Sequence, residues 1–265
     1  MKAIILAGGY AKRMWPLTTD FPKTLLPIKG RPAMDYILDR LMETDLNAII
    51  VSTNLKFKPR FEAWRKNKRV ALIEIVAETS RSEDEKLGAV GALAELAAKL
   101  EPDDYLIIAG DNIFTAGIRG MIDFYKEKKA IVVAVIRARS ADEVLRGSSV
   151  LLEEDMRIAQ FKEKPMKVDT MLIGACIYIL PYRTLLRTNE YLQEGGDRDE
   201  PGNFMEWLCE RETVYGYMLP GQLWDIGTIE GYEELKREFQ AANHKNRDSS
   251  RTRKSCDANQ RKTQP

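Results

Sequence analysis

The chain has 265 residues, with 41 Lys plus Arg, 40 Asp plus Glu and one histidine, and a formal net charge of +1. That histidine is His244, and the three cysteines (Cys176, Cys209, Cys256) stand far apart, so the body offers no Ser-His-Asp triad, no HExxH zinc site and no CxxC framework. Charge is unevenly spread: 243–265 holds seven basic and two acidic residues, leaving a body of net −4, which argues against a nucleic-acid-binding core, and a tail of net +5.

Met1-Lys2 leads straight into an apolar strand, Ala3-Ile4-Ile5-Leu6, with no signal-peptide pattern. No apolar run approaches the ~18 residues of a membrane span. With thiols in no framework, the expectation is a cytoplasmic protein. Met34, Ile37, Leu38, Leu41 and Met42 then fall on one helix face. Ile49-Ile50-Val51 reads as a strand, 56–68 as a basic amphipathic stretch and Val70 to Val76 as a strand. Leu93, Leu96, Ala97 and Leu100 mark a helix, Tyr105 to Ala109 a buried strand, Ile118 to Tyr125 a helix and Ile131 to Ile136 a strand. This alternation predicts an α/β fold: a Rossmann-like mixed, mainly parallel sheet covered by helices on both faces.

After residue 140 the rhythm changes. Ser148–Leu152, Arg157–Phe161 and Leu172–Leu180 read as strands with few helices between, which predicts a smaller antiparallel insertion beside the main sheet. Helices are expected near 182–192 and 203–211. A last helix over 229–242 places Tyr232, Leu235 and Phe239 on one face. The basic tail 243–265 has almost nothing to bury and is expected to be disordered and solvated, with weak electrostatic contact to RNA or an acidic partner as the lesser alternative.

Chemistry-bearing residues gather at predicted strand ends. The first strand runs into LAGGYAKRM, where Gly8 and Gly9 suit either a tight turn or close backbone approach to a phosphate or base. Neither Walker A nor GxGxxG is present. Arg13 and Lys23 follow the same strand end, where an α/β sheet opens its binding crevice. Gly110-Asp111-Asn112 ends the strand YLIIA. An Asp-Asn pair there suits a hard cation such as Mg²⁺, and a helix cap is the structural alternative. FKEKP brings Glu163, able to accept from sugar hydroxyls, and Lys164, a point charge for a phosphate. WDIGT places Asp225 at another strand end. Phe204, Trp207 and Leu208 lie at helical spacing and are expected to pack, as are Cys176 and Cys209.

Taken in order, LAGGYAKRMWPLT, PKTLLPIKGRPAM, LGAVGAL, GDN, Arg146-Gly147, FKEKP and WDIGT closely resemble the sugar-1-phosphate nucleotidyltransferases over about 1–240. The resemblance implies transfer of a nucleotidyl group from an NTP to a sugar-1-phosphate with Mg²⁺, releasing pyrophosphate. It implies a nucleotidyltransferase domain over 1–242, with a nucleotide-binding half (1–140) and a sugar-binding half (141–242). In this family the backbone of Leu6, Ala7, Gly8 and Gly9 lies against base and ribose, and Gly88 approaches the base. Arg13 and Lys23 bind the triphosphate, Asp111 and Asp225 hold Mg²⁺ with Asn112 beside them at the substrate, and Gly147, Glu163 and Lys164 meet the sugar and its phosphate. The partners implied are NTP and sugar-1-phosphate, without membrane or nucleic acid; a homo-oligomer is compatible. Thymidylyl or uridylyl transfer to glucose-1-phosphate leads, with guanylyl transfer to mannose-1-phosphate next; a non-catalytic nucleotide-sugar sensor and an alcohol-phosphate cytidylyltransferase are the alternatives. The chain departs from the pattern at Ala11, Lys12, Ala89 and Cys176, where Gly, Thr, Thr and Gly are usual.

Overall fold

The structure, a computed structural model, describes residues 1–68 and 70–238. It opens with β1 (Lys2–Leu6), two 3-10 turns (Lys12–Met14, Lys23–Leu25), the ribbon β2 (Pro27–Ile28) and β3 (Arg31–Pro32), and α1 (Ala33–Leu41). β4 (Ile49–Asn54), α2 (Lys58–Lys66), β5 (Ile73–Glu78), a 3-10 turn (Glu83–Glu85) and α3 (Ala89–Ala97) follow. Then come β6 (Asp104–Ala109), β7 (Asn112–Phe114), α4 (Arg119–Lys128), β8 (Ile131–Arg137), α5 (Ala141–Arg146), β9 (Ser148–Leu152) and β10 (Ile158–Glu163). β11 (Leu172–Pro181), α6 (Tyr182–Gln193), α7 (Pro201–Cys209), β12 (Val214–Met218) and β13 (Leu223–Asp225) complete the named elements. Residues 229–238 are helical. Phe239 and the tail 243–265 lie outside the described residues.

One seven-stranded sheet organises the chain, in the order β12-β8-β11-β6-β1-β4-β5. β1 pairs in parallel with β4 and β6, and β4 with β5. The strands are apolar on both faces, as a doubly covered sheet requires. In β1, Ala3 and Ile5 join the core under α1, α2 and α4, while Ile4 joins the core under α3, α6 and α7. In α1 the predicted face holds for Met34, Ile37, Leu38 and Leu41, all buried; Met42 falls after the helix and is 48 % exposed.

The second half differs from expectation in one element. Leu172–Pro181 is no part of an insertion; it is a central strand of the main sheet, antiparallel to both β6 and β8. Its run Ile177-Tyr178-Ile179-Leu180, buried on both faces, is the sequence mark of such a position. The antiparallel insertion is the β9–β10 hairpin alone. A further antiparallel pair joins β13 to β7 and sets Asp225 opposite Asn112. Among the described residues no helix is long and apolar enough to cross a membrane.

Candidate active site

The carboxyl ends of β1, β4, β5 and β6 open into a cavity of about 480 Å³. Gly8 and Gly9 sit on its wall, held from behind by β4: Asn54 Nδ2 donates to the Gly8 carbonyl at 2.7 Å and Thr53 Oγ1 to the Ala7 carbonyl at 3.4 Å. A Cβ on Gly9 would meet nothing within 4 Å, so the protein's own packing does not demand glycine there. Ala11, where the family pattern has glycine, stands in the left-handed region at φ 50 and ψ 51. Its carbonyl accepts from the Thr18 hydroxyl at 2.8 Å, which closes the loop carrying Lys12 and Arg13.

Gly88 has a different reason to be glycine. Its φ is +77, and a Cβ there would lie 2.3 Å from the Arg198 carbonyl oxygen. That carbonyl accepts from the Val90 and Gly91 amides (2.8 and 3.4 Å), so the start of α3 is capped by the 197–200 loop. Gly88 lines the cavity while also locking this loop to α3.

The acidic end is built by strand pairing. Asp111 follows β6; because β13 lies against β7, Asp225 arrives beside it, and the Ile226 amide donates to the Asp111 carbonyl at 3.1 Å. Lys23 Nζ bonds Asp111 Oδ2, and the Gly227 amide donates to Asp225 Oδ1 at 2.7 Å. Burial pulls the Lys23 ammonium down, but the adjacent Asp111 carboxylate outweighs it and leaves the group raised. Burial and the charge of Asp111 push Asp225 up to about 6, against Lys23, the Gly227 amide and Arg13. Two crowded oxygen-donor carboxylates of this kind suit a hard divalent cation, which relieves their repulsion. Among the described residues no third carboxylate, histidine or thiol completes a cage. Mg²⁺ tolerates that, since it takes one or two carboxylates and fills the rest with water and substrate oxygens.

Of the expected site residues, Leu6, Ala7, Gly8, Gly9, Arg13, Lys23, Gly88, Asp111, Asn112 and Asp225 all line the cavity. Gly147, Glu163 and Lys164 do not; they form a second group just beyond its rim. The Lys164 amide donates to the Gly147 carbonyl at 2.7 Å, and Glu163 pairs with Ser148 across the hairpin. Lys164 Nζ reaches back to Glu200, which lines the cavity. Glu163 lies under α7, where a Cβ on Gly202 would fall 1.8 Å from its Oε2. Burial, then the charge of Glu200, pushes its carboxyl up to about 7 against the pull of Lys164.

Sequence reasoning missed Ser52, Glu78, Glu83, Lys86, Asp199 and Glu200 on the cavity wall. Glu78 ends β5, which the apolar pattern stops two residues early at Val76. Trp207 is outside the cavity and packs as expected: it stacks on Phe204 and lies between Arg187 and Arg211 at 4.6 and 4.4 Å. Cys176 does line the cavity, and burial lifts its thiol to about 12, which leaves it inert as a nucleophile.

Basic side chains and paired aspartates thus gather at the carboxyl ends of a doubly covered sheet. The chain belongs to the nucleotidyl transferase family, whose model matches residues 2–242. It is 28% identical over 232 residues to a mannose-1-phosphate guanylyltransferase of Mycobacterium tuberculosis, covering 87% of this chain and 62% of the relative. It is 26% identical over 244 residues to a D-glycero-alpha-D-manno-heptose 1-phosphate guanylyltransferase of Aneurinibacillus thermoaerophilus, covering 91% and 99%. The chain thus spans less than two thirds of the first relative's length and nearly all of the second. The fold matches a UDP-glucose pyrophosphorylase solved with UDP-glucose at a TM-score of 0.77 and 20% identity, over 91% of this chain and 98% of that one.

Proposed function

We propose that this chain transfers a nucleotidyl group from an NTP to a sugar-1-phosphate, releasing pyrophosphate. The observation that carries the reading is the cavity itself, which gathers Arg13, Lys23, Asp111 and Asp225 at the glycine-lined carboxyl end of one sheet. In this reading 1–140 supplies the nucleotide side and 141–242 the sugar side, in a cytoplasmic protein.

The attacking oxygen belongs to a phosphate already ionised near neutral pH, so no general base is needed, in keeping with a body that has no histidine. The difficulty is to bring two anions together and offset charge on the α-phosphate and the departing pyrophosphate. Positioning and electrostatics then supply most of the acceleration. Arg13, exposed on its 3-10 turn, and Lys23 offset the leaving group. Lys164 lowers repulsion from the incoming sugar phosphate, and Glu163 positions the sugar through its hydroxyls. Asp111 and Asp225 would hold Mg²⁺, which when bound polarises the phosphoryl oxygens.

The test is pyrophosphate release over a matrix of NTPs and sugar-1-phosphates, with Mg²⁺ and with EDTA. Release with at least one pair, abolished by EDTA, is expected. No release with any pair, from a folded protein, refutes the reading.

A further inference from the structure

The far end of the cavity from the paired aspartates holds a carboxylate that the transfer chemistry does not use. Glu78 ends β5, is 7 % exposed and lines the cavity beside Gly8, whose Cβ position is 3.5 Å from Glu78 Oε1. Among the described residues no cation pairs with it. Lys86, the basic group on the same side, is bound instead to Asp199 at 2.6 Å and Glu83 at 3.1 Å. The hydrogen-bond partner of Glu78 is the Ser80 hydroxyl, which donates to Glu78 Oε1 at 2.6 Å, with the Tyr10 hydroxyl 3.3 Å from Ser80 Oγ. The neighbouring strand β4 brings Ser52, 6 % exposed, to the same wall.

A buried carboxylate without a cation is unfavourable unless hydrogen-bond donors meet it, and the one hydroxyl from Ser80 leaves Oε2 and most of its lone pairs unmet. We propose that Glu78 reads the base of the nucleotide and selects guanine, which would make the chain a guanylyltransferase. The inference rests on the nucleotidyl-transfer reading for the placement of the base beside Gly8. It departs from the thymine or uracil that leads on sequence grounds.

An ionised carboxylate accepts and cannot donate. Guanine presents two neighbouring donors on its Watson–Crick edge, N1–H and N2–H₂, which match two carboxylate oxygens side by side. Uracil and thymine present one N3–H between two carbonyls, so a carboxylate that takes the donor also faces an acceptor. Adenine and cytosine each set an amino donor beside an unprotonated ring nitrogen, with the same mismatch. Discrimination therefore has an attractive and a repulsive part. The Ser80 hydroxyl occupies one lone pair of Oε1 and fixes the carboxylate's rotation, leaving Oε2 and the remaining lone pairs for the base.

The experiment is calorimetric titration of GDP, IDP, UDP, dTDP and ADP into the full chain and into E78Q, with Mg²⁺ present. Gln keeps the shape but replaces one acceptor with a donor. The native chain should bind GDP at least ~10-fold more tightly than UDP, dTDP or ADP, in the range of a bidentate base contact. IDP, which lacks the N2 amino group, should bind on the order of 10-fold more weakly than GDP; this comparison needs no variant and stands if E78Q fails to fold. E78Q should bring GDP within a few-fold of UDP while leaving UDP binding unchanged or better. The proposal is overturned by native binding of UDP, dTDP or ADP as tight as GDP, by equal binding of GDP and IDP, or by E78Q weakening every diphosphate equally. Selective GDP binding without pyrophosphate release from any sugar-1-phosphate would leave the base assignment standing and remove the transfer reading. Absence of binding by all five nucleotides would remove both.

Discussion

Replacing Glu163 with Gln should stabilise the protein at high pH and not at low pH. The hairpin strand β10 carries this carboxyl under α7, where Gly202 leaves room only for the bare oxygen. Burial and the neighbouring Glu200 raise it from 4.5 to about 7. A folded-state pKa above the unfolded one means that the fold prefers the neutral acid. The favourable contribution is present below about pH 4.5 and is lost as pH rises through about 7. At 1.36 kcal/mol per unit, a rise of about 2.5 units sets an upper bound of ~3.4 kcal/mol. Solvent screening of a partly accessible group brings the expected effect to about 1–3 kcal/mol. Urea denaturation of parent and E163Q at pH 4.5 and pH 8 measures it, since shape effects common to both conditions cancel in the difference. The variant should gain that amount at pH 8 relative to pH 4.5. A difference independent of pH, or of opposite sign, would refute the electrostatic account. Turnover of E163Q should fall even where its stability rises, because the same carboxylate serves the sugar in the proposed reaction.

Three further substitutions probe the cavity. Asp111→Asn should lower pyrophosphate release on the order of 10²–10³-fold with folding intact; a near-parental rate removes Asp111 from the mechanism. Ala11→Gly should raise stability by ~0.5–1 kcal/mol in urea, because a left-handed alanine costs about 1–2 kcal/mol and the glycine gives back part of that as chain entropy. An unchanged or lower midpoint would show that the loop tolerates alanine without strain. Gly88→Ala meets both the positive φ and the Arg198 carbonyl, and should cost at least ~2 kcal/mol while weakening nucleotide binding. A stability within ~0.5 kcal/mol of the parent would mean that the 197–200 loop is not locked to α3 as described.

What was legible in the sequence was whatever depends on apolar period or on a short unbroken motif. The period placed α1, α4 and the strands β1, β4, β6 and β8, since each buries a continuous face. The motifs placed Lys23, Asp111 and Asp225 in one cavity although 202 residues separate the first from the last. Two kinds of information were hidden. Leu172–Pro181 follows a hairpin without an intervening helix, so chain order suggested the insertion, while its pairing to β6 and β8 depends on partners distant in sequence. Glu78 was invisible because β5 turns polar as it enters the cavity, and hydrophobicity loses a strand where function begins. Asp199 and Glu200 lie in a polar loop with no pattern of its own, placed by the Arg198 carbonyl at the start of α3 and by ion pairs to Lys86 and Lys164.

Those ion pairs bear on how an anionic substrate enters. Lys23 is held by Asp111, Lys164 by Glu200, Lys86 by Asp199, and Lys12 lies 3.9 Å from Asp84. The cations around the cavity are thus compensated by carboxylates, with Arg13 as the exposed exception among those assigned to phosphate. A phosphate arriving at Lys23 or Lys164 exchanges one ion pair for another, so its binding gains only the difference between them, and the released carboxylate must find a new partner. At Lys23 that carboxylate is Asp111, assigned to Mg²⁺, so metal binding and phosphate binding assist each other there: each relieves the charge that the other leaves exposed. The partner of Lys164 is Glu200, which is neither of the aspartates proposed to hold Mg²⁺, so no such assistance is expected there. The nucleotide side should therefore show a strong dependence of affinity on Mg²⁺, and the sugar-phosphate side a weaker one.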